Sequence, residues 1–466
     1  MPPKKRKNVK DQQVQTDSSV SSKRAKIDPK RPSLHMLNDD CLEEVFRKLE
    51  LQDLFKLEMV CKRFREVTMK VYKYCTTLNC DSLLIYCKKN QQKHLEAMAS
   101  KVGNYVENLK LSAEVKDNDS GRKNFLSILG KCKNVKHLRI SRAKNDIFFF
   151  YANNALNRTF SGLKTLQLDS CRFDDEAGEY ILKADQLEEL DLSYGVKIYG
   201  SWFSEIRNLK KVRFGYSLSL DVDQFTTFCE NNPDLESIFF HLGDDFNNRR
   251  FNAITSNLKN LQQVELSGRS MYNCIRLNHI KNLVDLPKLK HLKIRGIGNL
   301  AHLVSFLDLR RDTLESLDLS FYPRDGDCDP RVVLWGISRL SLPRLKKLST
   351  DYGMYDNILE QLRCTETLEE VSMVGSEVTD DSVCQFIKKC KKLTSLNLTG
   401  CPNLTSDLIT GILPALKERS QTLTIFAGTT GIYNSEKSRK NPKINISRKN
   451  KDFSLRDYKE LNSADN

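Results

Sequence analysis

The sequence predicts an α/β chain: a small three-helix module, then a curved solenoid of about 13 strand–helix units, with a parallel sheet on its concave face and helices outside. Three observations predict it. A strand-like phrase, L-x-x-L-x-L, returns thirteen times in one phase. Residues 34–75 carry apolar side chains at helical spacing, and the two ends, 1–33 and 434–466, are too polar to bury a core and are expected to be disordered.

The phrases begin at Val106, Val135, Leu163, Leu187, Leu209, Leu235, Leu261, Leu289, Leu314, Leu345, Leu368, Leu393 and, in degenerate form, Ser420. Their spacings run from 22 to 31 residues and average about 26, the period of leucine-rich repeats. Segments at helical spacing lie between them, such as Val383, Phe386 and Ile387. Each unit buries its leucines only against its neighbours, so the array must stack, here over 106–433, behind a connecting helical segment at 76–105. The stretch Cys390–Thr405 resembles the cysteine-containing subtype of these repeats, which implies a buried Cys after the strand at Cys171 and Cys401.

In the N-terminal module Leu42, Val45, Phe46 and Leu49 form the stripe of an amphipathic helix, and Asp40 with Glu43 reads as a capping box. A second helix starts near Gln52 with Leu54 and Leu57 inward; a third carries Val60, Cys61, Phe64, Val67 and Val71. Three helices this short leave apolar faces for something else to cover. Across Leu34–Tyr74 the order resembles the F-box: Leu37, Leu42, the Gln52–Asp53–Leu54 step and the VCKRF run Val60–Phe64. Asn38 stands where a proline is usual, Leu51 where a second is common, and no Trp follows Phe64. Asn38 still suits a helix N-cap. An unrelated helical hairpin of similar spacing is the plainer alternative.

An F-box followed by leucine-rich repeats resembles the substrate receptors of SCF-type ubiquitin ligases. The resemblance implies that Leu37, Leu42, Val45, Leu49, Leu54, Leu57, Val60 and Phe64 serve a Skp-type adaptor, itself on a cullin scaffold, while the repeats hold a protein substrate. Such a receptor does no chemistry and needs no cofactor; it raises effective concentration and orients. The competing reading is a nuclear leucine-rich-repeat scaffold or nucleic-acid-associated protein without ligase function.

Charge bears on that choice. The 466 residues carry +15, from 75 Lys+Arg against 60 Asp+Glu. Residues 1–33 hold +7 and residues 434–466 hold +4, leaving only +4 for the 400 between them. The basicity belongs to the tails, which argues against nucleic acid on the solenoid. Lys4, Lys5, Arg6 and Lys7, then Lys23, Arg24 and Lys26, suit an extended peptide in the acidic groove of a nuclear import receptor, and KRAKID resembles a monopartite import signal. A solvated basic tail is the bland alternative. The expected address is the nucleus, with the cytoplasm alongside. No stretch approaches the ~18 apolar residues of a membrane helix, and MPPKKRKNVK is the opposite of a signal peptide, so neither membrane nor secretion is expected. The fourteen cysteines include no CxxC pair and read as free thiols in a reducing compartment.

Several motifs are decoys. Gly296-Ile-Gly298-Asn-Leu-Ala301 with Asp318 outlines a dinucleotide fingerprint, but the strand-to-strand distance of 25 residues is tight for a βαβ unit, and neighbouring units lack the glycines. Asp325, Asp327 and Asp329 open like a calcium loop, yet Pro330 and Gly336 occupy the positions of its Gly and Glu. His137 and His291 share a slot six units apart, too far for one metal ion.

The informative surface is the concave face, where positions 3, 5 and 7 of each phrase point away from the leucines. Lys110, Arg139, Lys211, Arg213, Lys293, Arg295 and Lys347 there face Asp169, Glu189, Asp191, Glu265, Asp318, Asp351 and Glu370. Seven bases against seven acids suit a protein partner of mixed charge. Substrate-binding candidates are Tyr194, Tyr216 and Phe239 from three consecutive units, with Asp191, Arg213, Phe321 and Tyr352. Clustered exposed aromatics make interface hot spots; the alternative is that they turn inward as core.

Overall fold

Each of the thirteen leucine phrases becomes one strand of a single parallel sheet. The computed structural model describes residues 34–80, 91–112, 126–142, 154–173, 175–194, 196–198, 201–215, 221–242, 248–268, 277–295, 301–320, 330–432 and 442–447. They fall into two compact units, one ending at Val71 and the other beginning at Tyr72. The import clusters of residues 1–33 lie outside the described residues.

The first unit holds helices α1 (Asp39–Phe46), α2 (Leu51–Glu58) and α3 (Lys62–Val71). Asn38 caps α1: its side-chain oxygen accepts from the Cys41 backbone N–H at 2.8 Å. Asp40 therefore sits inside the first turn, where its charge favours the helix dipole, and Asp40–Glu43 is not the cap. Val60 and Cys61, expected in α3, form the link before it. Buried Phe64 binds the unit together, edge-on to Phe46 at 5.3 Å and stacked under His35 at 4.8 Å. Arg63 reaches back from α3 to Asp39 (2.8 Å) and to the carbonyls of His35 and Leu37, fixing the entry segment.

In the second unit the phrases supply β2 (Asn108–Ser112), β3 (His137–Ser141), β4 (Thr165–Asp169), β6 (Glu189–Tyr194), β8 (Lys211–Phe214), β9 (Ser237–Leu242) and β10 (Gln263–Gly268). They continue as β11 (His291–Arg295), β12 (Ser316–Ser320), β13 (Lys347–Asp351), β14 (Glu370–Val374), β15 (Ser395–Asn397) and β16 (Leu423–Phe426). Positions 4 and 6 are buried, as with Leu166 and Leu168 or Leu317 and Leu319, against helices that return the chain in the same direction. The thirteenth phrase pairs Leu396 with Ile425, so it starts at Thr422 rather than Ser420. A shift of two residues keeps the inward and outward sets unchanged. An extra residue bulges β6, where Asp169 pairs with Tyr194. A separate two-stranded ribbon joins β5 (Arg172–Phe173) to β7 (Lys197–Ile198).

Two strands of the main sheet lie outside the thirteen phrases. β1 (Thr77–Asn79) pairs with β2, so the expected connecting segment at 76–105 opens with a strand before its helix, Gln91–Val102. β17 (Ile444–Ser447) pairs with β16, so the sheet runs to Ser447 rather than ending at 433, and the expected C-terminal tail contains a strand. Both close a backbone edge that the repeats would leave open.

Polar links lock neighbouring repeats. Buried Asn232 accepts from the Leu209 N–H at 2.9 Å and donates to the carbonyls of Ile206 and Phe228, both at 2.8 Å. Cations also reach across to helix C-terminal carbonyls: Lys389 to Glu360 (2.8 Å), Arg419 to Ile387 (3.0 Å) and Lys443 to Lys417 (3.2 Å). These satisfy orphan acceptors and oppose the negative helix end.

Candidate functional site

Two surfaces qualify, each described by itself. On the first unit, the eight residues expected to serve an adaptor divide. Leu42, Leu54 and Phe64 are buried and hold the helices together, Leu37 and Leu57 are half-buried, and Val45, Leu49 and Val60 are exposed. Sequence reasoning missed their most exposed neighbours, Met59 (78 %) and Met36 (74 %), together with Leu34. Helical periodicity could not find them, since Met36 lies in a short 3-10 turn before α1 and Met59 just past the end of α2. Exposed apolar side chains that lie together mark interaction surfaces.

On the sheet face, the charges expected to meet a partner largely meet each other. Arg139 pairs with Asp169 (3.1 Å), Lys211 with Glu189 (2.6 Å) and Lys347 with Glu370 (2.8 Å). The centre is a network around buried Glu265, which has Arg213 at 3.3 Å, Lys293 at 3.4 Å and Arg295 at 3.8 Å. Arg213 also approaches Asp191 at 3.8 Å, and Lys293 approaches Asp318 at 3.5 Å. Burial pushes the Asp318 carboxyl above its ordinary range despite the cations beside it. A carboxylate so engaged is not a ribose ligand, and Gly296–Asn299 of the dinucleotide decoy lie outside the described residues.

Phe239 is a correction. Its slot does point outward, yet it is only 4 % exposed, because the Arg213 guanidinium lies over its ring at 4.1 Å on the way to Glu265. His241 also packs against it, edge-on at 4.7 Å. The readable signal was Arg and Glu in the same slot of the preceding and following units. Tyr352 is 45 % exposed and holds a left-handed backbone (φ +59). Its ring lies on Gly375, where a Cβ would come within 2.4 Å of it. That conformation costs a non-glycine residue about 1–2 kcal/mol. Tyr194 ends β6, and nothing is described of its side chain; Tyr216, Phe321 and the Asp325–Asp329 loop lie outside the described residues.

Most of the described cysteines are buried packing groups. Cys171 and Cys401 are fully buried and donate to backbone carbonyls, Cys171 to Asp169 at 3.2 Å and Cys401 to Met373 at 3.0 Å. Burial pushes Cys401 to about 11 and Cys132 to about 12. Neither supplies a thiolate at neutral pH. Among the described residues no three His, Cys, Asp or Glu side chains gather to hold a metal ion. His137 instead meets Thr165 Oγ1 at 3.0 Å.

Residues 34–76 match the family model of the F-box domain, so this segment is an F-box domain. Following it is the leucine-rich-repeat solenoid that the sheet defines. Among solved structures, a chain of the Rad7 and Elc1 complex in yeast is similar at 14 % identity over 90 % of this chain and 98 % of that one, with a TM-score of 0.49. An internalin from Listeria monocytogenes is similar at 13 % identity over 81 % of this chain and 97 % of its own, with a TM-score of 0.37. No curated protein matches the sequence.

Proposed function

We propose that the chain is the non-catalytic substrate-recognition subunit of an SCF-type ubiquitin ligase, and that it works in the nucleus. The F-box domain docks on a Skp-type adaptor carried by a cullin, and the sheet face of the solenoid holds a protein substrate. The observation that carries this reading is the set of exposed apolar side chains on a matched F-box domain: Met36, Val45, Leu49, Met59 and Val60. Water-facing methionines are adaptable contacts at such interfaces. The receptor contributes by holding its substrate near the transfer machinery, an effect of effective concentration. The basic clusters Lys4–Lys7 and Lys23–Lys26 support import by their composition.

Proximity labelling in cells tests it, comparing the intact chain with a Met59→Asp/Val60→Asp form. Proteins that accumulate only beside the docking-deficient form are the expected substrates. Identical labelled sets at identical abundance would count against a ligase role.

A further inference from the structure

The charge of the chain is more localised than its two tails suggest. From Gln385 to the C-terminus there are 15 Lys/Arg against 7 Asp/Glu, a balance of +8, and residues 34–384 carry no net charge. The structure gives part of this block a fixed place. Helix Asp380–Lys389 ends in Lys388 and Lys389, Lys391 and Lys392 follow in the turn, and helix Asp407–Lys417 ends in Lys417. The two helices pack against each other, so these ends lie on one edge of the solenoid, roughly the 8–10 Å of a helix pair apart.

Helix-end capping accounts for some of these cations. Lys389 caps Glu360, and Lys443, leading into β17, donates to the carbonyls of Lys417 and Arg419 at 3.2 and 2.6 Å. Lys388, Lys391, Lys392 and Lys417 remain: all are exposed, and none of their ammonium groups forms an ion pair with a described residue. Some lysines elsewhere on the solenoid are paired, Lys136 to Glu107 at 2.7 Å and Lys346 to Glu315 at 3.1 Å, whereas these four stand together on one edge. Clustered cations repel one another, a cost that an anionic partner lowers.

The edge also lacks what a folded protein partner would grip. Among the described residues, none of the exposed large hydrophobic side chains falls between Gln385 and Ser447. Protein interfaces gain most of their energy from buried aromatic and apolar anchors, whereas a phosphate backbone needs only cations along one path. We infer that this C-terminal edge binds the phosphate backbone of a nucleic acid, without reading its bases, on a face separate from the sheet. Phosphates would supply counter-charges to these lysines.

Fluorescence anisotropy of a labelled 30-base-pair DNA duplex with the full-length chain tests this, with salt varied from 50 to 200 mM. The comparison is a full-length Lys388→Gln/Lys391→Gln/Lys392→Gln/Lys417→Gln form, which keeps the N-terminal tail and removes only side chains without partners. The inference predicts at least tenfold weaker binding at low salt and a log K against log salt slope shallower by about 3–4, the loss of four phosphate contacts. Equal affinity and slope in two forms with equal thermal melting would overturn it. A poly-glutamate peptide that binds the same lysines more tightly than the duplex would also overturn it, assigning the edge to an acidic protein segment. The Met59→Asp/Val60→Asp form should bind DNA normally, so the outcome is independent of the ligase reading.

Discussion

Arg213, Phe239 and Glu265 show how a slot on a sheet can be predicted outward and still be buried. Alternation fixes which way Cβ points, but a long neighbouring side chain decides what solvent reaches. Asn232 works at the same scale. It satisfies three backbone groups between repeats, so Asn232→Ala should cost at least the ~1–3 kcal/mol of one unpaired buried group, measured by urea denaturation. Asp356 gives a pH signature. Burial opposes its charge, but hydrogen bonds from Ser382 and from the Thr379 N–H and hydroxyl outweigh that and hold its carboxyl below the ordinary range. A depressed folded value means the stabilisation is complete above the unfolded carboxyl pKa of about 4 and is lost as pH falls through the folded value. Asp356→Asn should therefore lower stability at neutral pH and flatten its fall below pH ~4, followed by thermal melting across pH. Two parallel melting profiles would refute this role for Asp356.

At the scale of elements, the phrases were legible because nearly all repeat one physical demand, buried apolar side chains at positions 4 and 6. β1 and β17 were not, because an end strand needs only one partner and a few residues. The alternation of Ile444 and Ile446 sits inside a basic stretch that reads as tail. The Leu423 and Ala427 N–H groups donate to Lys443 and Ser447 carbonyls at 2.9 Å, so a chain ending at residue 432 leaves β16 as an open edge. That form should melt lower and associate with rising concentration, visible by light scattering. A monodisperse product with unchanged melting would show that β17 does not protect the sheet. In the F-box the periodic stripes named the core at Leu42, Phe46, Leu54 and Phe64, while Val45 and Leu49 of the first stripe are exposed. The most exposed apolar side chains were harder to see, because Met36 and Met59 lie at helix ends where no period runs. Docking must accordingly be probed at Met59 and Val60, since Leu54→Asp would place a charge in the core.

For the whole molecule, the two tails hold only +11 of the +15 charge. Half of the net charge belongs to 1–33 and the rest to the block beyond Gln385, part of which is ordered on the solenoid edge rather than free. The sheet face between is internally neutralised, so substrate affinity there should change little with salt, while binding at the C-terminal edge should fall steeply. The central claim is that the F-box domain docks an adaptor through its exposed apolar side chains. Calorimetric titration of the full chain with a purified Skp-type adaptor tests it most directly. The account predicts a one-to-one complex that Met59→Asp/Val60→Asp abolishes while melting stays within the ~0.5 kcal/mol expected of surface changes. No binding by the intact chain, or equal binding by the substituted one, would contradict it.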